Sequence, residues 1–147
     1  MEIPAIRKAK SVFDNADKLY NDILFKYVNL ASTQRLIIGL NHLQLENGIK
    51  SDGSKIKPFY ASLKYKGRRS PVDLYLEGDF YKSFKVSVVK GQDVFLLIWA
   101  SDFKSPFLKG NYGKEIFGLT DTSVQLFVDN FRPYFLTEIE RIIKDSI

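Results

Sequence analysis

The chain has 147 residues, 45% hydrophobic and 27% charged, a length and balance that suit one compact domain and exclude a disordered chain. It has no cysteine and a single histidine, His42, which excludes disulfides and thiolate metal sites and leaves little scope for imidazole chemistry. The net charge is +5, and its excess lies in the middle: residues 50–90 carry ten Lys and Arg against four Asp and Glu, while the flanking stretches are nearly balanced.

In chain order, Ser11 can cap a first helix. Phe13, Ala16, Leu19, Tyr20, Ile23, Leu24, Tyr27 and Val28 recur at steps of three and four and form its buried face. Ser32 or Thr33 can cap a second helix carrying Leu36, Ile37, Leu40, Leu43 and Leu45, with Gly48 ending it. Ser51-Asp52-Gly53-Ser54 reads as a turn between short extended pieces, because glycine tolerates the positive φ that tight turns demand. Residues 57–71 are polar, basic and rich in tyrosine, and Lys64, Lys66, Arg68 and Arg69 crowd around Gly67 in what reads as an exposed loop or long hairpin arm.

From Phe80 to Val89 alternation predicts a half-buried strand, with Phe80, Phe84, Val86 and Val88 on one face and Tyr81, Ser83, Lys85 and Ser87 on the other. Lys90-Gly91-Gln92-Asp93 turns the chain into Val94–Ala100. The unbroken apolarity of that run predicts a strand covered on both faces, with Phe95, Leu97 and Trp99 filling the core. Residues 102–119 contain Pro106, Gly110, Gly113 and Gly118 and read as a loop. Thr120 can cap a last helix running to about Lys144, kinked at Pro133 or restarted there with Asn130 as a new cap. The predicted fold class is α+β, one domain over residues 1–147. Its parts are a helical N-terminus (1–48), a basic turn and arm (49–71), strands (72–101), a loop (102–119) and a C-terminal helix (120–147), with the helices packed on a small antiparallel sheet containing a central hairpin.

A series of elements carries a family likeness: Leu40-Asn41, Gln44-Leu45, Gly48-Ile49, Ser51-Asp52-Gly53, Ile56, Tyr60 with the basic arm, and Leu74-Tyr75-Leu76. The series ends in Leu76-Glu77-Gly78-Asp79-Phe80, completed by Ser83-Phe84. Over residues 33–143 it resembles the virion-morphogenesis proteins of tailed phages and prophages, the neck and tail-completion type, especially from phages of Bacteroides-like hosts. The resemblance implies a ring-forming subunit in the neck or tail of a virion, assembled in the host cytoplasm. Its expected partners are copies of itself and neighbouring portal, connector or tail proteins. Gly78, Asp79, Phe80, Ser83 and Phe84 would then be structural, and no catalytic residues would carry over.

Each chemical reading of the residues lacks a partner. Glu77 and Asp79 could pair as acid and base, but acidic residues beside Gly78 suit turn geometry and solubility better. Gly110-Asn111-Tyr112-Gly113-Lys114 has the wrong spacing for a phosphate loop. Serine lacks both the GxSxG turn and a second candidate base. No enzyme activity, metal, cofactor or membrane span is therefore expected, the short apolar run Val94–Ala100 falling far below the roughly 20 residues a spanning helix needs. Met1-Glu2-Ile3-Pro4 opens no signal peptide. Lys64, Lys66, Arg68 and Arg69, with Tyr60 ahead of them and Tyr65 among them, are expected to dock a protein surface or to make non-specific contact with packaged DNA. A basic nucleic-acid-binding accessory domain is the alternative reading of the whole chain.

Overall fold

The computed structural model describes residue 7 and residues 15–57, 72–75 and 78–146. Ser11, Phe13, Glu77 and the arm with Lys64, Lys66, Arg68 and Arg69 lie outside the described residues. Helix α1 (Ala16–Val28) buries Ile23, Tyr27 and Val28, and Asn29 closes it by donating its side-chain amide to the Phe25 carbonyl at 2.7 Å. Helix α2 (Ala31–Glu46) follows at once from Leu30, whose extended backbone turns the chain without a side-chain cap. Ser32 and Thr33 therefore lie inside the helix and do not cap it. The inward face of α2 holds Thr33, Ile37, Leu40, Asn41, Gln44 and Leu45, while Leu43 points outward.

Gly48 leaves α2 at φ 70°, and Ile49 forms an isolated bridge with Lys55 across the expected turn. Asp52 shapes that turn by accepting from the Ser54 amide at 2.9 Å, with Gly53 at φ 84°. Val72 and Leu74 enter the core, and Tyr81 ties this segment down by donating its hydroxyl to the Asp73 carbonyl.

The predicted strand from Phe80 needs correction. Asp79–Lys82 is a single helical turn (α3), and strand β1 covers Phe84–Lys90. Phe80 and Phe84 stand four apart, a spacing that keeps two side chains on one side in either geometry, so alternation alone could not separate them. β1 pairs with β2 (Val94–Ala100) in an antiparallel hairpin, with Lys90 opposite Val94 and Phe84 opposite Ala100. Asn21 holds the hairpin tip by donating to the Gln92 carbonyl at 2.7 Å, and Lys90 pairs with Asp22 of α1.

Residues 102–119 are not a loop. They form helix α4 (Ser105–Tyr112) and a 3₁₀ turn (Lys114–Ile116). Pro106 sits in the first turn of α4, where a missing N–H costs nothing because no intrahelical acceptor exists for it. Gly113, at φ 94°, ends that helix. Helix α5 (Asp121–Ser146) begins at Thr120, whose hydroxyl accepts from the Ser123 amide at 3.2 Å, as expected of a cap. It passes through Pro133 as one element. Asn130 does not restart it, because its amide donates back to the Leu126 carbonyl at 2.9 Å within the same helix.

The architecture is α+β. One core joins Ile37, Leu45, Ile56, Val72, Phe80, Phe84, Ile98 and Ile116; the other joins Ile23, Tyr27, Val28 and Phe131 between α1 and α5. Tyr27 lies 5.1 Å from Phe131 and 4.9 Å from Tyr134, ring to ring, so aromatic packing holds the two helices together.

Candidate interaction surface

The two faces of the hairpin differ in burial, although Leu96 on the inner one is still 39% exposed. Phe84, Ile98 and Ala100 are buried, but Phe95 is 62% exposed, Leu97 61% and Trp99 37%. The expectation that β2 is covered on both faces, with these three residues in the core, is overturned. Register explains it. Lys85 lies opposite Trp99, Ser87 opposite Leu97 and Val89 opposite Phe95, so the polar residues of β1 and the aromatic ones of β2 share one outer face. The sequence predicts the opposite parity: a four-residue turn Lys90–Asp93 would set Val89 opposite Val94 and turn Phe95, Leu97 and Trp99 inward, whereas Lys90 itself pairs with Val94, and that one-residue difference in register reverses the face.

This face is ordered as well as apolar. The Trp99 indole N–H donates to the Ser87 hydroxyl at 2.9 Å, and the Lys85 ammonium sits 5.4 Å from the indole centroid. Phe103, 85% exposed, lines a hollow together with Leu97 and Trp99, and Phe107 on α4 is exposed as well. Those two residues gave no sequence signal, because the segment carrying them read as a loop. Beside the open edge of β2 runs a trough of about 510 Å³, walled by Lys109, Phe117 and Leu119. A second hollow of about 480 Å³ continues it past Trp99 and Pro106.

Gly78, Asp79, Phe80, Ser83 and Phe84 lie in and around the single turn α3 and the start of β1. Gly78 takes φ 86° beneath the Tyr75 ring, and a Cβ there would lie 2.9 Å from the Tyr75 hydroxyl. Asp79 is exposed, Phe80 and Phe84 are buried with rings 5.0 Å apart, and the Ser83 hydroxyl donates to the Phe80 carbonyl at 2.8 Å. His42 stacks on Tyr81 at 4.5 Å and meets Phe84 edge-on at 4.6 Å, and its Nε2 has no partner among the described residues. Burial holds its pKa below the ordinary value, against the opposing pull of a hydrogen bond to the Tyr81 backbone and the charge of Glu46. A half-buried imidazole stacked on aromatic rings suits packing.

Sequence reasoning missed Asn41 and Gln44 as more than helix residues. Both are buried, and their side-chain amides grip an extended stretch of backbone. Asn41 donates to the Ile116 carbonyl at 3.0 Å and accepts from the Gly118 amide at 2.9 Å. Gln44 donates to the Gly118 carbonyl and accepts from the Thr120 amide, both at 2.9 Å. The grip fixes where α5 begins.

Among the described residues no group of three or more His, Asp or Glu side chains could hold a metal ion, and no helix is long and apolar enough to cross a membrane. The shifted carboxylates, Asp22, Asp52 and Glu138, are all held below their ordinary range by hydrogen bonds at the surface: to Lys90, to Ser54 and to Arg141 respectively. Compared with known proteins, the chain matches no family model, no curated protein and no solved structure.

Proposed function

We propose that this chain is a structural subunit that works by binding other proteins, copies of itself among them. The setting we propose is the one its sequence elements suggest, a ring in the neck or tail-completion region of a tailed-phage particle, against portal, connector or tail proteins. The observation that carries the binding role is the exposed outer face of the hairpin. Contiguous apolar surface rimmed by polar groups is the usual mark of a protein-binding patch. Trp99, already fixed by Ser87 and Lys85, loses little freedom on binding, which suits it to be an anchor. A head-to-tail ring requires two different complementary patches on each subunit, and this face supplies one of them.

The same aromatics, with Lys85 beside Trp99, are the feature that favours the second reading, a nucleic-acid-binding accessory domain that stacks bases and neutralises phosphates. One experiment separates the two. The purified full chain is examined by mass photometry and electron microscopy, and its binding to DNA is measured across a salt series. Discrete rings with little salt-dependent DNA affinity support the assembly role. A monomer at all concentrations that binds DNA with a steep salt slope overturns it in favour of the second reading.

A further inference from the structure

We infer that two copies of this chain pair through the open edge of β2, building one four-stranded sheet about a two-fold axis at Leu97. This goes beyond the ring contact, because a ring uses two different patches whereas a two-fold axis uses one patch twice.

The ends of the hairpin ladder determine which backbone groups point outward. Ser101 N donates to the Ser83 carbonyl at 3.1 Å, and Gly91 N donates to the Asp93 carbonyl at 2.9 Å. Between those ends the register is unbroken, so the mutually hydrogen-bonded pairs are Lys85 with Trp99, Ser87 with Leu97 and Val89 with Phe95. The N–H and C=O groups of Val94, Leu96, Ile98 and Ala100 therefore turn away from β1. None of the four makes a hydrogen bond to another element among the described residues. Among the described residues a trough, not a third strand, lies beside this edge.

Exposed edges are normally guarded by a lysine, a proline or a bulge. β2 has none of these: Val94–Ala100 is uncharged, contains no proline and pairs with β1 residue for residue. Antiparallel pairing centred on Leu97 sets Val94 opposite Ala100 of the second copy and Leu96 opposite Ile98. Every outward amide then meets an outward carbonyl. It also sets Phe95 opposite Trp99 of the second copy, twice, on the outer face, at the positions where cross-strand side chains approach most closely.

Charge selects a second copy as the occupant. A two-fold contact brings each residue near its own duplicate, so it repels wherever the surface is charged. In a chain of net charge +5, Val94–Ala100 is the longest wholly apolar run, while β1 carries Lys85 and Lys90.

The natural absence of cysteine gives a direct test. Leu97→Cys in the full chain puts two thiols across the axis, with Cα atoms about 4.5 Å apart, inside the range a disulfide spans. Mild oxidation should convert most of this variant to a covalent dimer, while Phe107→Cys, equally exposed but on α4, stays uncoupled. Equal coupling of the two variants would overturn the pairing. Leu97→Lys tests it without a covalent bond. Opposed like charges should weaken the dimer at least about tenfold in sedimentation equilibrium, with the far-ultraviolet circular dichroism unchanged. If large assemblies form and Leu97→Lys leaves every mass unaltered, the pairing is wrong and the ring reading stands. If the Leu97→Cys dimer forms and nothing larger ever does, the pairing stands and the ring reading falls.

Discussion

Two regions of this chain break the rule that polar residues face water and apolar ones do not. At the grip between α2 and the segment 116–120, Asn41 and Gln44 are polar and buried. On the outer face of the hairpin, Phe95 and Leu97 are apolar and largely exposed. The first exception is resolved inside the chain, since four hydrogen bonds between 2.9 and 3.0 Å account for both side-chain amides. The second has no resolution among the described residues. The contrast separates a polar exception that the chain satisfies by itself from an apolar one that it leaves exposed.

Damage to the two regions should read out differently. The largest effect is expected from Asn41→Leu, which keeps the branched outline of the side chain but adds bulk at a fully buried site and leaves the Ile116 carbonyl and the Gly118 amide without their partner. It should lower unfolding free energy by about 3 kcal/mol in urea titration. A loss below about 1 kcal/mol would mean that the grip is incidental to stability. Gly118→Ala should follow at about 2 kcal/mol, because φ 128° is a glycine conformation and the new Cβ would meet Ser51 Cβ at 2.9 Å. Leu97→Ser should change monomer stability by no more than about 0.5 kcal/mol, as other exposed substitutions do, yet reduce self-association seen by mass photometry.

The smallest effect belongs to His42 and probes a third environment, half-buried and aromatic. Its folded pKa lies below the ordinary 6.5, so as pH falls the unfolded chain takes up the proton first. Stability should be full above about pH 6.5 and decline below it, and His42→Phe should flatten that decline in denaturation curves taken at neutral and mildly acidic pH. The depressed carboxylates Asp22, Asp52 and Glu138 act only at lower pH, below their ordinary values of 3.8 to 4.5. The two windows are therefore distinct.

What could be read from the sequence followed the strength of each local pattern. α1, α2 and α5 were legible because their apolar residues recur at helical spacing and because Gly48 and Thr120 mark boundaries. The hairpin was legible from its turn. The facing of β2 was not legible from β2 itself, since Val-Phe-Leu-Leu-Ile-Trp-Ala is apolar at both parities and only its partner strand tells the faces apart. α4 was hidden by Pro106 and Gly110, which read as breakers; Pro106 is harmless in a first turn, and Gly110 has no neighbour that a Cβ would meet. Asn41 and Gln44 were hidden for another reason. Their partners are backbone groups 74 to 77 residues away, and no pattern within a helix announces a distant main chain.

That separation in sequence also orders events during folding. Helices α1 and α2 adjoin in the chain and can form early, whereas the grip must wait until residues 116–120 exist and have closed a loop of more than seventy residues. Until then Asn41 and Gln44 face solvent on the unfinished side of α2. Leucines at those places would extend a sticky stripe on a nascent helical pair; amides keep it hydrated. The last helix therefore docks onto a surface that stays soluble while it waits, and its arrival exchanges water for backbone.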